Sequence, residues 1–256
     1  GSRGEGLMIT ILELSLLEVF FGLVGISAGG FLRGFLGFGA ALLIVPVLSL
    51  VMAPVEAIAI LVLIELPNIV YLIPRSMREC EFKTLAPMMC GLIIAVPLGT
   101  TLLVFVDPVK MKFVISIVLL GAIALLASGW RIKGKISRVT TFTAGAIGGG
   151  LQGAAGMGGP PLVTTLLSIE NDAKTTRSNI IIALSTNSLI NAIAMLAYGK
   201  ISFNLLQFSI VASVLYVGTT MFGAKFFRAN GNEHFRKAAL GLLTLIAILM
   251  LYSVFK

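Results

Sequence analysis

Charge is scarce in this 256-residue chain. Asp, Glu, Lys and Arg make up 12% of it, against 57% hydrophobic residues, where a soluble domain carries about 25% charged residues. Histidine occurs once, and His234 lies in a basic loop where a surface role suffices. The two cysteines, Cys80 in a loop and Cys90 in an apolar run, give neither a disulfide framework nor metal-ligand spacing. No nucleophile–base constellation, phosphate loop or metal cluster is legible, which argues against an enzyme, an ATP-driven pump or a cofactor. The net charge of +8 would suit nucleic acid in a soluble protein. Here the basic residues sit in short loops between apolar runs, as topology signals and contacts for anionic lipid headgroups. Nucleic acid is therefore not an expected partner.

What the chain has in abundance is long apolar sequence. A bilayer core of about 30 Å needs roughly 20 apolar helical residues per crossing. Such stretches fill nearly the whole chain, which is therefore an all-α polytopic membrane protein. Residues 1–7, GSRGEGL, read as a tag remnant, with Met8 the expected start. Ten segments follow, at about 9–32, 38–53, 57–74, 84–106 and 111–130, then 140–156, 160–169, 179–198, 203–224 and 236–255. Residues 8–130 and 140–256 form two membrane repeats, joined by a basic linker at 131–139.

The repeats are visible as sequence. GFLRGFLGFGAALL at Gly30–Leu43 and GGLQGAAGMGGPPL at Gly149–Leu162 superpose at an offset of 119 residues. The same offset places Asn68 on Asn187 and Gly99-Thr100-Thr101 on Gly218-Thr219-Thr220, which indicates internal duplication. With five segments per half, 13 loop Lys and Arg residues fall on one side and 4 on the other, Arg3 and Arg33 set aside. Counting each glycine-linked pair as one crossing gives 9 against 8. The positive-inside rule favours five. Because five is odd, consecutive halves face opposite ways, giving two inverted repeats of about five segments with the linker cytoplasmic.

Matched helix breaks in two halves are the sequence signature of a transporter's solute site. Four-residue glycine spacing (Gly30–Gly34, Gly149–Gly153) serves close helix packing. The denser runs through Gly37 and Gly39, and through Gly156, Gly158 and Gly159, interrupt the helix. Pro160-Pro161 then starts a new one. Fresh helix N-termini at Gly39–Leu42, which includes Ala40, and at Gly158–Leu162 present N–H groups and a positive dipole end suited to an anion.

Polar residues in the apolar runs complete the candidate site. Arg33 falls within the first motif and Gln152 is its counterpart; a buried arginine marks function, whereas an interfacial one snorkels as a topology anchor. Asn68 and Asn187 either bind solute or bridge helices, and Asn179, Ser185, Thr186 and Asn191 enrich the latter's segment. Thr164 and Thr165 are expected to bond their own backbone. Among the acids, Glu65 is the candidate for proton coupling. Glu13 and Glu18 lie near an outer end, and Glu56 at a segment boundary.

The pattern GFLRGFLGFGAALLIVP, its echo GAIGGGLQGAAGMGGPPL and the Tyr198-Gly199-Lys200-Ile201 loop resemble the sulfite exporter TauE/SafE family, over about residues 19–255. Ala40-Ala41 departs from the third consecutive glycine common in that family, and Arg177 stands where an apolar residue is usual. The resemblance implies a secondary transporter of sulfite or an organosulfonate such as sulfoacetate, isethionate or taurine, in the cytoplasmic membrane. The expected site comprises Arg33, Gly37, Gly39, Ala40, Asn68, Gln152, Gly156, Gly158, Gly159, Pro160, Asn187 and Asn191. Its partners are a small anion, membrane lipid and, as coupling ion, protons. A membrane scaffold or assembly factor and an uncoupled anion channel are the alternatives.

Overall fold

A backbone surrounded by hydrocarbon must satisfy its own hydrogen bonds, so apolar runs of this length fold as helices. The computed structural model describes residues 15–36, 38–129, 132, 136–169, 171–230, 241, 243–245, 247–250 and 252. Gly37, Glu13, His234, part of the linker and most of the last segment lie outside the described residues. Among the described residues there is no strand. The helices are α1 (Leu16–Leu36), α2 (Ala40–Val51), α3 (Pro54–Ser76), α4 (Phe82–Phe105), α5 (Pro108–Ser128), α6 (Arg138–Ala155), α7 (Gly159–Leu166), α8 (Ala173–Ala197) and α9 (Phe203–Asn230). Six of them (α1, α3, α4, α5, α8 and α9) are long and apolar enough to cross a membrane, which makes this a multi-pass membrane protein.

Helices α5 and α8 are among those that start earlier than hydropathy indicates. Asp107 accepts from the Val109 and Lys110 N–H groups, and Asp172 from those of Lys174 and Thr175. These polar caps extend α5 and α8 by a turn or more beyond their apolar stretches.

Both glycine-rich stretches break where expected. Gly39 separates α1 from α2 and Gly156 ends α6, with φ of 96° and 69°. An L side chain in that left-handed region costs about 1–2 kcal/mol. At Gly156 the helix closes through Gly156 N–H to Gln152 C=O (2.8 Å), the single-bond cap of a helix ended by a left-handed glycine, and Met157 N–H bonds Leu151 C=O (3.3 Å). Gly22, Gly25 and Gly29 of α1 face Leu48, Val47 and Ile44 of α2, so the two run antiparallel, and Gly148 faces Leu162 in the same way. With 12 and 8 residues, α2 and α7 are about 18 Å and 12 Å long. Both fall short of the roughly 30 Å hydrocarbon core.

The hairpins pack reciprocally. α1 lies on α9 and α6 on α4, the two partners carrying the matched Gly-Thr-Thr triplets. A Cβ on Gly34 would strike the backbone of Thr220 and Ala224, and one on Gly153 that of Val96 and Thr100. Each glycine-bearing helix thus docks on the helix that carries the other stretch's triplet.

Candidate functional site

The tips of both hairpins meet in one cavity. It is lined by Arg33 of α1, Phe38 and Gly39 of the first break, and Ala40, Ala41 and Leu42 of α2. Glu65 of α3, Gln152 of α6, and Gly156 and Met157 of the second break continue the wall. Gly159 and Pro160 of α7 and Leu184, Asn187 and Ser188 of α8 close it. The space between these atoms is about 390 Å³, its open mouth included. Glu65 is the twelfth of the 23 residues of α3, so the cavity lies at mid-height of a spanning helix.

Lining positions recur at the offset that relates the glycine motifs: Arg33 and Gln152, Phe38 and Met157, Ala40 and Gly159, Ala41 and Pro160, Glu65 and Leu184. Positions matched in sequence thus converge on one cavity.

The charges within it are paired. Arg33 Nη1 lies 3.0 Å from Glu65 Oε1, the two side chains being 15% and 6% exposed. The Tyr216 hydroxyl donates to the same oxygen at 3.3 Å, and Ser188 Oγ donates to Oε2 at 2.6 Å. Helices α1, α3, α8 and α9 therefore meet at one carboxylate. Arg33, in the last turn of α1, is thus paired with an acid at the middle of α3.

Opposite stands an amide cluster. Gln152 Oε1 accepts from Gly158 N–H and from Asn187 Nδ2, each at 3.2 Å. Asn191 Nδ2 donates to the Gln152 carbonyl at 3.1 Å and its Oδ1 accepts from Thr100 Oγ1 at 3.2 Å. Asn187 is 1% exposed, and its Oδ1 is buried with no hydrogen-bond partner. Asn191 thus lies behind the cavity wall, holding Gln152 in place.

The two new helix starts differ. Ala40 and Ala41 keep their N–H groups at the cavity. Pro160 and Pro161 have none, and Gly158 N–H is already bonded to Gln152. The first break is therefore the better donor to an anion.

Other polar candidates lie elsewhere. Asn68 is half-buried on α3, outside the cavity lining, with its Nδ2 buried and unpartnered. Pro67, whose counterpart is Thr186, removes a helical hydrogen bond just before it. Asn179 accepts from Glu81 N–H (2.8 Å) near the start of α8, and Thr165 Oγ1 donates to its own helix at Pro161 C=O. Ser185 is buried and Thr186 half-buried, neither lining the cavity. Glu18 accepts from Ser15 at the exposed start of α1, and Glu56 from Ala53 N–H at the start of α3. Arg177 is exposed on α8. Sequence reasoning missed Ser188, whose one clue is its place beside Asn187, and Tyr216, a lone phenol in an apolar run.

A polar strap joins the α3–α4 loop to the start of α8. Lys174 Nζ lies 3.1 Å from Glu79 Oε1, and Ser178 Oγ donates to Oε2 at 3.2 Å. Asn171 Nδ2 donates to Glu81 Oε2 at 3.2 Å. The hydrogen bond from Lys174 holds the Glu79 carboxyl below its ordinary range. The backbone N–H of Thr175 does the same for Asp172, and burial pushes the Cys80 thiol up.

Comparison with known proteins agrees with this architecture. The family model for sulfite exporter TauE/SafE matches residues 21–250. The probable sulfite/organosulfonate exporter TauE of Cupriavidus necator is 23% identical over 224 residues, covering 85% of this chain and 88% of that protein. No solved structure matches at a significant level. With two broken hairpins over a polar cavity and a family match along nearly its whole length, the chain belongs to the sulfite exporter TauE/SafE family of membrane transporters.

Proposed function

We propose that this protein is a secondary transporter that carries a small sulfur-containing anion, sulfite or an organosulfonate, across the cytoplasmic membrane by alternating access. One observation carries the reading: a mid-helix cavity in which a guanidinium, two helix starts and an amide cluster converge from matched positions of a duplicated chain. Irregular backbone at membrane depth persists where protein buries it or where it lines a watery cavity.

Arg33 and the N–H groups of Ala40 and Ala41 would hold the anionic oxygens, since a planar guanidinium matches an oxyanion's geometry. Asn187 and Gln152 would orient the remainder of the solute. The unpartnered Asn187 Oδ1 favours solutes with a donor of their own, such as the hydroxyl of isethionate or the ammonium of taurine. Inverted halves rocking about this site would expose it alternately to the two sides.

The test is flux of sulfite, isethionate, taurine and sulfoacetate into proteoliposomes. Arg33→Ala and Asn187→Ala should each lower flux at least tenfold at equal protein incorporation. Unchanged flux in both variants removes the site. No flux of any of the four in the wild type, with no thermal shift, favours a scaffold, and flux that never couples to another ion favours a channel.

A further inference from the structure

We infer that the solute anion and the ionised carboxylate of Glu65 exclude one another at Arg33, so that each monovalent anion is carried together with one proton on Glu65. The inference rests on the proposed anion site and adds to it the co-transported ion, the stoichiometry and the roles of Ser188 and Tyr216.

Arg33 and Glu65 are the two charged residues that line the cavity, and their side chains are 15% and 6% exposed. At 3.0 Å they cancel. An anion arriving at Arg33 while Glu65 stays ionised would leave an uncompensated negative charge in a low-dielectric interior, which is strongly disfavoured. Protonating Glu65 restores neutrality, with the anion replacing the carboxylate as the counter-ion of Arg33. On release the proton leaves, and the ion pair re-forms. Charge balances at each step, and one H⁺ crosses with each monovalent anion.

The surroundings of Glu65 suit both protonation states. Apart from Arg33, its partners are hydroxyls, Ser188 Oγ on Oε2 and Tyr216 OH on Oε1. A hydroxyl donates to a carboxylate and can rotate to accept from a carboxylic acid, so neither state leaves a buried group unmatched.

Among the described residues, no other charge near mid-height takes over the task. Helices α2 and α7 carry no titratable residue. Lys83, Lys110, Lys112, Arg138, Lys174 and Arg177 fall in the first two turns of α4, α5, α6 and α8, and Lys225 and Arg228 near the end of α9. Glu56 is in the first turn of α3 and Arg75 in its last.

Isethionate is the probe, because its sulfonate stays ionised throughout pH 5.5–8 and any pH dependence then belongs to the protein. Calorimetric titration of the wild type in buffers of different ionisation enthalpy should show about one proton taken up per isethionate, with affinity falling up to tenfold per pH unit above the midpoint. Glu65→Gln keeps the side-chain shape and leaves Arg33 unpaired. It should bind at least tenfold more tightly than wild type at pH 8, without pH dependence or proton uptake. In proteoliposomes, inward isethionate flux through the wild type should acidify the lumen, and clamping the membrane potential should not change the rate.

Wild-type binding with no proton uptake overturns the inference and leaves the anion site standing, and this measurement needs no variant. A pH slope that persists unchanged in Glu65→Gln also overturns it. Absence of binding of isethionate and of sulfite at every pH, by both proteins, overturns the proposed function itself.

Discussion

Gln152 offers the sharpest test of how the amide cluster is built. Its Oε1 is the acceptor for two buried donors, Gly158 N–H and Asn187 Nδ2, and the residue is 4% exposed. Gln152→Ala strands both. Each buried donor left unpaired costs about 1–3 kcal/mol, so the expected loss is about 2–6 kcal/mol. Asn187→Ala is a milder change, because Gly158 N–H keeps its acceptor and the unpartnered Asn187 Oδ1 disappears with the side chain. Its expected cost is about 1 kcal/mol. In the double variant one stranded donor is gone, so the loss should fall short of the sum by about 1–2 kcal/mol. At roughly 2–4 °C per kcal/mol for a chain of this size, Gln152→Ala should lower Tm by about 4–24 °C and Asn187→Ala by about 2–4 °C. Thermal unfolding of solute-free protein in nanodiscs at a fixed scan rate measures the order. A Tm for Gln152→Ala within 2 °C of wild type, or an equal fall in Asn187→Ala, refutes the shared-acceptor reasoning.

Close helix contact predicts opposite outcomes at two neighbouring glycines of α6. Gly153→Leu drives a side chain into the backbone of Val96 and Thr100 and should abolish folded protein by size-exclusion chromatography. Gly150→Ala meets nothing within 4 Å and should leave Tm unchanged or raise it, alanine being favoured in a helix by about 0.5–1 kcal/mol. The strap at Glu79 should weaken in acid. Its carboxyl is held below the ordinary value, so its contribution is present above about pH 4.5 and fades as pH falls through the lowered value. Tm measured from pH 7 to 3.5 should fall less steeply in Glu79→Gln than in wild type, and less steeply in both at high salt. Inverted halves place matched positions on opposite faces. In a background with both cysteines replaced by serine, Ser202→Cys should react with an impermeant maleimide on intact cells, and Lys83→Cys, 119 residues before it, only after permeabilisation. Labelling of both from one side excludes inversion.

The fold was legible because hydrocarbon leaves the backbone few options. Apolar length gave the helices, and clustered glycines followed by Pro160-Pro161 gave the breaks, now found at Gly39 and Gly156. Caps were the weak point: Asp107 and Asp172 are polar, so hydropathy trimmed the turns they begin. Within the site, Arg33, Gln152 and Asn187 could be named because each is polar inside an apolar stretch at a repeated register. Their connections could not, since the Glu65 bonds to Ser188 and Tyr216 span 123 and 151 residues. Asn68 shows the limit of symmetry as a guide. It shares its register with Asn187, yet it stands outside the cavity lining on a helix carrying Pro67.

Divergence between the halves has a mechanical consequence. Backbone-setting glycines recur in both, but Arg33 is matched in the cavity wall by Gln152, and Glu65 by Leu184. Repeating the arginine would set two like charges at one small site, and repeating the acid would do the same. One ion pair in the first half and amides in the second keep the cavity neutral. The bonds then divide by strength. Arg33–Glu65 joins α1 to α3, both before the basic linker, whereas the Ser188 and Tyr216 bonds reach Glu65 from α8 and α9, beyond it. Rocking of one half against the other would exchange two hydroxyl bonds, each about 1.5–3 kcal/mol with a charged acceptor, and leave the buried ion pair intact. Breaking that pair without replacement would cost about 3–5 kcal/mol. An alternating-access carrier of this kind would therefore return empty with Arg33 still neutralised.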